Sequence, residues 1–244
     1  MIQVEGLGKR FNERWALQSL DFRVAKGAFL GVLGRNGAGK TTLVRLLTGQ
    51  LSPDVGTARI AGMGVAKRPL ELRRRMGVMP EADALLEGLT GFQYLGFVGR
   101  LHGLSLNELE SRIRELGALL DMDFAAARIS EYSFGMNKKT ALAASLLHGP
   151  ELLFLDEPFE GLDPVTSASL QGLLADLNAR GTTIVLTSHQ LGLAERLCDH
   201  FLVMDQGRIL AHGPAEKLLD REEDLEGLFL RLVGRKESGK LSWM

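Results

Sequence analysis

The residues from Gly34 to Thr41 read Gly-Arg-Asn-Gly-Ala-Gly-Lys-Thr and match the phosphate-binding pattern G-x-x-x-x-G-K-[ST]. They lie directly between an apolar run that ends at Leu33 and a helical pattern that begins near Lys40. In this setting glycines let backbone N–H groups converge on phosphate oxygens, and the helix amino terminus adds partial positive charge. The pattern predicts that the lysine reaches the β and γ phosphates of a nucleotide and that the threonine ligates Mg²⁺.

Short apolar runs alternate with helical patterns along most of the chain. The helical patterns occupy residues 41–49, 164–178 and 191–198. Because parallel strands are buried on both faces, such runs predict strands that helices cover on both sides. The predicted buried strands are residues 28–33, 76–79, 152–155, 183–186 and 201–204. The expected fold class is therefore α/β, a P-loop NTPase with a mostly parallel core sheet.

Other parts of the chain depart from that alternation. Residues 1–26 and 56–62 alternate polar and apolar side chains, which predicts a half-exposed antiparallel β subdomain. Residues 84–148 carry helical periodicity with little strand signal, which predicts a helical insertion, and residues 222–233 predict a further helix. The expected organisation is a nucleotide-binding core of residues 1–81 and 149–220, a helical subdomain of residues 82–148, and a C-terminal helix and tail of residues 221–244.

Charge and cysteine content exclude several classes of protein. The formal net charge is −1, without the excess of Lys and Arg that neutralises nucleic-acid phosphates, so no nucleic-acid partner is expected. The single Cys excludes an intramolecular disulfide framework and favours a reducing, cytoplasmic compartment. No stretch approaches the roughly 18 apolar residues of a membrane helix, and residues 1–10 lack a signal-peptide pattern. Any membrane role is therefore expected to depend on a partner.

A second candidate site lies where the run 152–155 ends in Asp156 and Glu157. At the carboxyl end of a strand, an Asp can hold the Mg²⁺ of a bound nucleotide. Pro158 biases the residue before it toward extended backbone, which predicts that Glu157 projects beside Asp156. In that position the second acid would activate a water that attacks the γ-phosphate. Either acid alone could be a helix cap, but a pair in a chain with a phosphate loop favours catalysis.

These motifs, with others in the same order, make nearly the whole chain resemble the ATP-binding subunit of an ABC transporter. The resemblance implies that Phe11 stacks on adenine, that the loop ending at Asp163 communicates between two nucleotide sites, and that His189 contacts the γ-phosphate. With Lys40 and Glu157, His189 completes the implied catalytic set. The ATP-binding residues implied by the phosphate motif are Gly34, Arg35, Asn36, Gly37, Ala38, Gly39, Lys40, Thr41 and Thr42.

Two motifs differ from the commonest form of the family. The signature Leu-Ser-Gly-Gly-Gln is replaced by Tyr-Ser-Phe-Gly-Met, which keeps Ser133 and Gly135 for contact with a γ-phosphate at a helix amino terminus. Glu81 stands where the family has Gln. The implied Mg²⁺ ligands are Thr41, Glu81 and Asp156. Both departures are similar to those in the exporter branch, whose partners are separate multi-span membrane proteins.

The chain contains one phosphate loop and one signature. In the family these elements act on the same ATP from opposite subunits, so the resemblance implies a second cassette, in a homodimer or a pair of non-identical cassettes. It also implies ATP hydrolysis that powers export through a separate multi-span membrane subunit, at the cytoplasmic face of the membrane. Two alternatives stay open: a soluble ABC-type ATPase acting on DNA or ribosomes, and a slowly hydrolysing regulatory cassette.

Overall fold

The computed structural model describes residues 1–67, 69–80, 83–219 and 224–234. In chain order its strands are β1 (Ile2–Phe11), β2 (Arg14–Val24), β3 (Phe29–Gly34), β4 (Val55–Ile60), β5 (Met63–Gly64), β6 (Met76–Val78), β7 (Leu152–Asp156), β8 (Thr183–Ser188), β9 (His200–Asp205) and β10 (Arg208–Pro214). Its helices are α1 (Lys40–Leu47), α2 (Pro69–Arg75), α3 (Gly91–Leu101), α4 (Leu106–Leu119), α5 (Phe134–Leu146), α6 (Pro164–Ala179), α7 (Leu191–Leu197), α8 (Ala215–Leu218) and α9 (Leu225–Val233). Within these described ranges, none of the helices has both the length and the apolar character needed to span a membrane.

The core sheet has the strand order β10-β9-β3-β8-β7-β6, and its neighbouring strands are parallel except for β9 with β10. Every residue of β3 and β8 is buried, as expected for strands that are covered on both faces. The five predicted apolar runs all form strands of this sheet, which confirms the prediction of a mostly parallel core. Asp156 of β7 pairs with Thr187 of β8, and Ser188 pairs with Leu33 of β3. The phosphate loop and the acidic pair therefore meet at one edge of the sheet.

A second sheet has the order β2-β1-β4-β5 and is antiparallel. Along β1 the apolar side chains of Ile2 and Val4 are buried, whereas Gln3 and Glu5 are exposed. The buried face belongs to the same hydrophobic cluster as Leu43 of α1. The sheet thus packs near the helix that follows the phosphate loop, and the prediction of a half-exposed antiparallel sheet is confirmed.

Helices α3, α4 and α5 lie between β6 and β7 along the chain. Each begins with a capping box in which an N-cap side chain accepts a hydrogen bond from the backbone three residues later, with Thr90, Ser105 and Ser133 as caps. Leu95 of α3 and Leu109 of α4 are buried in a hydrophobic cluster that α5 shares. The predicted helical character of residues 84–148 is confirmed, while the division of the chain into domains stays a prediction.

The C-terminal helix α9 begins after Asp224, whose carboxylate accepts a hydrogen bond from the backbone N–H of Gly227 at 2.8 Å. Leu225 and Leu228 are buried in the cluster that also contains Leu193 of α7. The helix therefore forms within the predicted segment 222–233. Residues 220–223 and the predicted tail 235–244 lie outside the described residues.

Candidate functional site

The phosphate loop joins β3 to α1. Its residue Gly39 caps α1 with φ of +103°, and an added Cβ would lie 2.8 Å from the carbonyl oxygen of Ala16, so this position requires glycine. The buried Lys40 begins α1, and its Nζ donates to the carbonyl oxygens of Gly34 at 2.8 Å and Arg35 at 3.4 Å. The loop therefore combines a helix amino terminus with an ammonium group, an arrangement that suits phosphate.

The remaining loop residues surround a cleft at the carboxyl end of the core sheet. This cleft is lined by Ala16, Arg35, Asn36, Gly37, Ala38, Gly39, Lys40, Thr41, Thr42, Asp156 and Glu157. The structure therefore brings the phosphate loop and both predicted acids together. Arg35 also reaches the end of α9, where its Nη2 donates to the carbonyl oxygen of Gly234 at 2.8 Å.

Asp156 ends β7 and accepts hydrogen bonds from two hydroxyl groups. Oγ1 of Thr41 donates to its Oδ2 at 2.8 Å, and Oγ1 of Thr187 donates to its Oδ1. Hydroxyl and carboxylate oxygens are ligands of the kind that Mg²⁺ takes, usually beside substrate phosphates. Because Thr41 follows the loop lysine directly, this oxygen pair fits the predicted Mg²⁺ site.

Glu157 lies with its Oε1 4.0 Å from Nζ of Lys40. Its φ is +46°, in the left-handed region, so the predicted extended conformation is wrong. The reason is a set of long-range hydrogen bonds: the backbone N–H of Glu157 donates to Oγ1 of Thr187 at 3.0 Å and to the carbonyl oxygen of Thr187 at 3.3 Å. These bonds to β8 outweigh the local effect of Pro158. Left-handed backbone at a non-glycine residue costs about 1–3 kcal/mol and persists where surrounding contacts enforce it.

His189 follows the last residue of β8 and contacts Glu157. Its Nδ1 lies 3.0 Å from Oε2 of Glu157, and its backbone N–H donates to the same oxygen at 3.3 Å. Its side chain is half exposed. The two residues therefore form a polar pair beside the phosphate loop.

The two predicted signature contacts lie at the start of α5. Ser133 is the N-cap, and its hydroxyl accepts a hydrogen bond from the backbone N–H of Met136 at 3.3 Å. Gly135 follows in the first turn of the helix. Asp163, the last residue of the loop predicted to communicate between two nucleotide sites, is the N-cap of α6. It accepts hydrogen bonds from the hydroxyl and N–H of Thr166 at 2.6 and 2.9 Å, and these bonds hold the pKa of its carboxyl group well below the usual range.

The predicted adenine-stacking residue belongs to the antiparallel sheet. Phe11 ends β1 with a half-exposed ring, and Nζ of Lys9 lies 5.7 Å from the ring centroid. It pairs with Arg14 across the hairpin of β1 and β2. The same hairpin contains Ala16, whose carbonyl oxygen lies next to Gly39 of the phosphate loop. Glu81 lies outside the described residues.

The other four histidines contact residues outside the phosphate loop and the acidic pair. The rings of His102 and His148 stack with centroids 3.7 Å apart, and Nε2 of His148 lies 3.0 Å from the carbonyl oxygen of Met76. Burial lowers the pKa of His148 to about 4. His200 contacts the adjacent Asp199, and His212 packs against a phenylalanine ring.

Sequence reasoning missed two residues that support the site. Thr187 is fully buried, and its hydroxyl bonds both to the Asp156 carboxylate and to the Glu157 N–H. Gly207, in the turn between β9 and β10, donates its N–H to the carbonyl oxygen of Ala38 at 3.0 Å. This hydrogen bond links the turn to the phosphate loop. The only sequence signal for Thr187 is its place in a strand that ends just before His189.

The chain matches a family model, individual known proteins and solved structures. The family model described as ABC transporter matches residues 17–160. The daunorubicin resistance ATP-binding protein DrrA3 of Streptomyces coeruleorubidus is 43% identical over 218 residues, which are 89% of this chain and 69% of that protein. The Nod factor export ATP-binding protein I of Paraburkholderia xenovorans (strain LB400) is 38% identical over 222 residues, which are 91% of this chain and 73% of that protein.

Among solved structures, the ATP-binding subunit of an ABC transporter superposes with a TM-score of 0.90 at 30% sequence identity. The match covers 96% of this chain and 100% of the other. Both sheets and the helices between them therefore have counterparts in a known ATP-binding subunit.

Proposed function

Because the chain belongs to the ABC transporter family, we propose that it is the ATP-hydrolysing subunit of an exporter whose membrane path lies in a separate multi-span subunit. The observation that carries the proposal is the convergence of Lys40, Asp156 and Glu157 on one cleft, with His189 in contact with Glu157. Support for export comes from the relatives, one of which is named for Nod factor export and another for daunorubicin resistance.

The reaction follows from the contacts of this chain's own residues. Lys40 and the N–H groups at the start of α1 bind the β and γ phosphates of the substrate ATP. Thr41 and Asp156 would hold Mg²⁺, which screens the phosphate charge when it is bound. Glu157 orients a water for attack on the γ-phosphate and accepts its proton at a carboxylate oxygen. His189, whose Nδ1 lies 3.0 Å from that carboxylate, keeps it in place and would itself contact the γ-phosphate.

A second cassette would complete each site. This chain offers one phosphate loop and one signature helix, with Ser133 and Gly135 in the first turn of α5. In the proposed arrangement, those two residues of one cassette contact the γ-phosphate held by Lys40 of the other. A homodimer satisfies this arrangement, and a pair with a non-identical cassette satisfies it equally. The complex would sit on the cytoplasmic face of the membrane through its membrane subunit.

The test combines ATP hydrolysis with the measurement of mass. The purified chain should hydrolyse ATP with Mg²⁺, Lys40→Ala should lose nucleotide binding, and Glu157→Gln should bind ATP but hydrolyse it at least about 100-fold more slowly. With ATP, Glu157→Gln should form a dimer in light scattering. Glu110→Gln, at an exposed glutamate of α4, serves as the matched control. Equal rates for the wild type and Glu157→Gln would refute the catalytic assignment, and a strictly monomeric Glu157→Gln would refute the homodimer.

A further inference from the structure

The turn between β9 and β10 contacts both β2 and the phosphate loop. Its two central residues, Gln206 and Gly207, have φ of +45° and +76°, the pattern of a tight two-residue hairpin turn. The N–H of Gly207 donates to the carbonyl oxygen of Ala38 in the phosphate loop at 3.0 Å, and its own carbonyl oxygen accepts from the N–H of Gln18 in β2 at 2.8 Å. One residue of the turn therefore joins the antiparallel sheet to the phosphate loop.

A β-bulge in β2 brings that strand close to the same two elements. Where the pairing advances by one residue along β1, it advances by two along β2, from Leu17 to Trp15, so Ala16 is the extra residue of the bulge. The carbonyl oxygen of Ala16 would lie 2.8 Å from a Cβ added at Gly39 and 2.5 Å from one added at Gly207. The strand, the phosphate loop and the turn therefore meet without space for a side chain at either glycine.

A side-chain bridge adds to these backbone contacts. Nε and Nη2 of Arg208, the first residue of β10, donate to Oε1 of Gln18 at 3.0 and 2.9 Å. Nε2 of Gln18 donates in turn to the carbonyl oxygen of Gln206 at 3.3 Å. Both ends of the Gln18 amide are therefore bonded to the turn, and two N–H groups of one guanidinium fix the orientation of that amide.

The strand that this bridge holds belongs to the hairpin with the predicted adenine-stacking ring. Phe11 pairs with Arg14, four residues before Gln18 on β2. The phosphates of the same nucleotide are expected at the phosphate loop, which the turn contacts through Ala38. The bridge therefore lies between the part of the chain expected to bind the base and the part expected to bind the phosphates.

We propose that Gln18 and Arg208 are positioning residues that fix the hairpin of β1 and β2 against the phosphate loop, so that the base and the phosphates of one adenine nucleotide are bound together. This inference rests on the proposed function, since it takes ATP as the substrate. Neither residue contacts the nucleotide, and both act through the placement of Phe11. Loss of the bridge leaves the backbone contacts of Gly207 in place but lets the hairpin shift, which weakens binding of the base and spares binding of the phosphates.

The first test compares ADP with inorganic pyrophosphate, which carries phosphates but no base, in competition with a fluorescent ADP analogue. Arg208→Ala should raise the Kd for ADP by about 3- to 10-fold, the range expected for loss of one hydrogen bond, and change the Kd for pyrophosphate by less than about twofold. Gln18→Glu keeps an acceptor for the guanidinium and should bind ADP within about twofold of the wild type. In steady-state ATP hydrolysis, Arg208→Ala should raise the KM by a similar factor and leave kcat within about twofold.

A double-variant cycle tests whether the bridge acts through the base. Phe11→Ala with Arg208→Ala should bind ADP no more weakly than Phe11→Ala alone, because the ring is then absent. If Arg208→Ala does not fold, Gln18→Ala removes the same bridge. The matched control is Arg75→Ala, which removes a surface arginine bonded to Glu151 at 2.7 Å and should leave both Kd values unchanged.

The outcomes separate this inference from the proposed function. An unchanged Kd for ADP in Arg208→Ala, equal losses for ADP and pyrophosphate, or additive losses in the cycle would overturn the inference and leave the proposed function intact. A wild type that binds ADP without hydrolysing ATP would overturn the proposed function alone. A wild type that binds neither nucleotide would overturn both.

Discussion

Replacing Thr187 with valine removes one hydroxyl group from a fully buried position and changes the shape of the side chain little. That hydroxyl donates to Oδ1 of Asp156 and accepts from the N–H of Glu157 at 3.0 Å. A hydrogen bond to a charged group contributes about 1.5–3 kcal/mol, and a weakened bond to a buried N–H adds about 1 kcal/mol. We therefore expect Thr187→Val to lower the free energy of unfolding by about 2–4 kcal/mol. For a chain of this length, that corresponds to a Tm lower by roughly 5–15 °C.

The effect on catalysis should exceed the effect on ATP binding. Without the hydroxyl, the left-handed backbone of Glu157 keeps only the longer bond to the Thr187 carbonyl oxygen, and the carboxylate moves from its position beside His189. A misplacement of about 1 Å can lower a rate by about 100-fold, so kcat should fall by roughly that factor. The KM for ATP should stay within about threefold, because Lys40 and the loop glycines are unchanged.

The assay is steady-state ATP hydrolysis at a temperature below the Tm of each variant. Thermal unfolding of each variant is measured in parallel. Thr187→Ser keeps the hydroxyl and is the matched control, with kcat expected within about twofold of the wild type. A Thr187→Val variant that hydrolyses ATP at the wild-type rate would refute the role assigned to this hydroxyl. Equal losses in Thr187→Val and Thr187→Ser would show that packing matters here and the hydroxyl does not.

Three further predictions concern the edges of the site and the helical segment. Burial lowers the pKa of His148 from 6.5 to about 4, so the unfolded chain binds more protons than the folded chain between these pH values. Stability therefore falls as the pH drops through this range. The free energy of unfolding of the wild type, measured with urea, should fall by up to about 2 kcal/mol over this range, allowing for partial exposure, and that of His148→Gln should fall by less. Phe11→Ala should weaken ATP binding by about 1–3 kcal/mol if its ring stacks on adenine, and Trp15→Ala, in the same hairpin, should have a smaller effect in titrations with a fluorescent ATP analogue. Gly207→Ala should lower both the Tm and the ATP affinity, because the new Cβ would lie 2.5 Å from a carbonyl oxygen of β2. Gly172→Ala, whose new Cβ would meet no atom within 4 Å, should leave the ATP affinity unchanged and raise the Tm.

The contacts within the site show where prediction from sequence reached its limit. The phosphate loop and the ends of β7 and β8 could be predicted because each depends on a few consecutive residues. The conformation of Glu157 could not, since Pro158 favours an extended backbone locally while Thr187, thirty positions along the chain, holds the N–H in the left-handed region. The structure also makes Asp163 the N-cap of α6.

The sequence alone determined the class of the fold and the position of the phosphate loop. Fully buried strands must be apolar along their whole length, and the loop needs glycine and lysine at fixed spacing. Both features therefore depend on residues that are close together in the sequence. The tertiary structure decided which side chains meet. Register between β7 and β8 brings Thr187 to Asp156, and packing of α5 on the following loop brings Lys138 to Glu160. Such meetings depend on contacts between segments far apart in the chain, and no short stretch of residues encodes them.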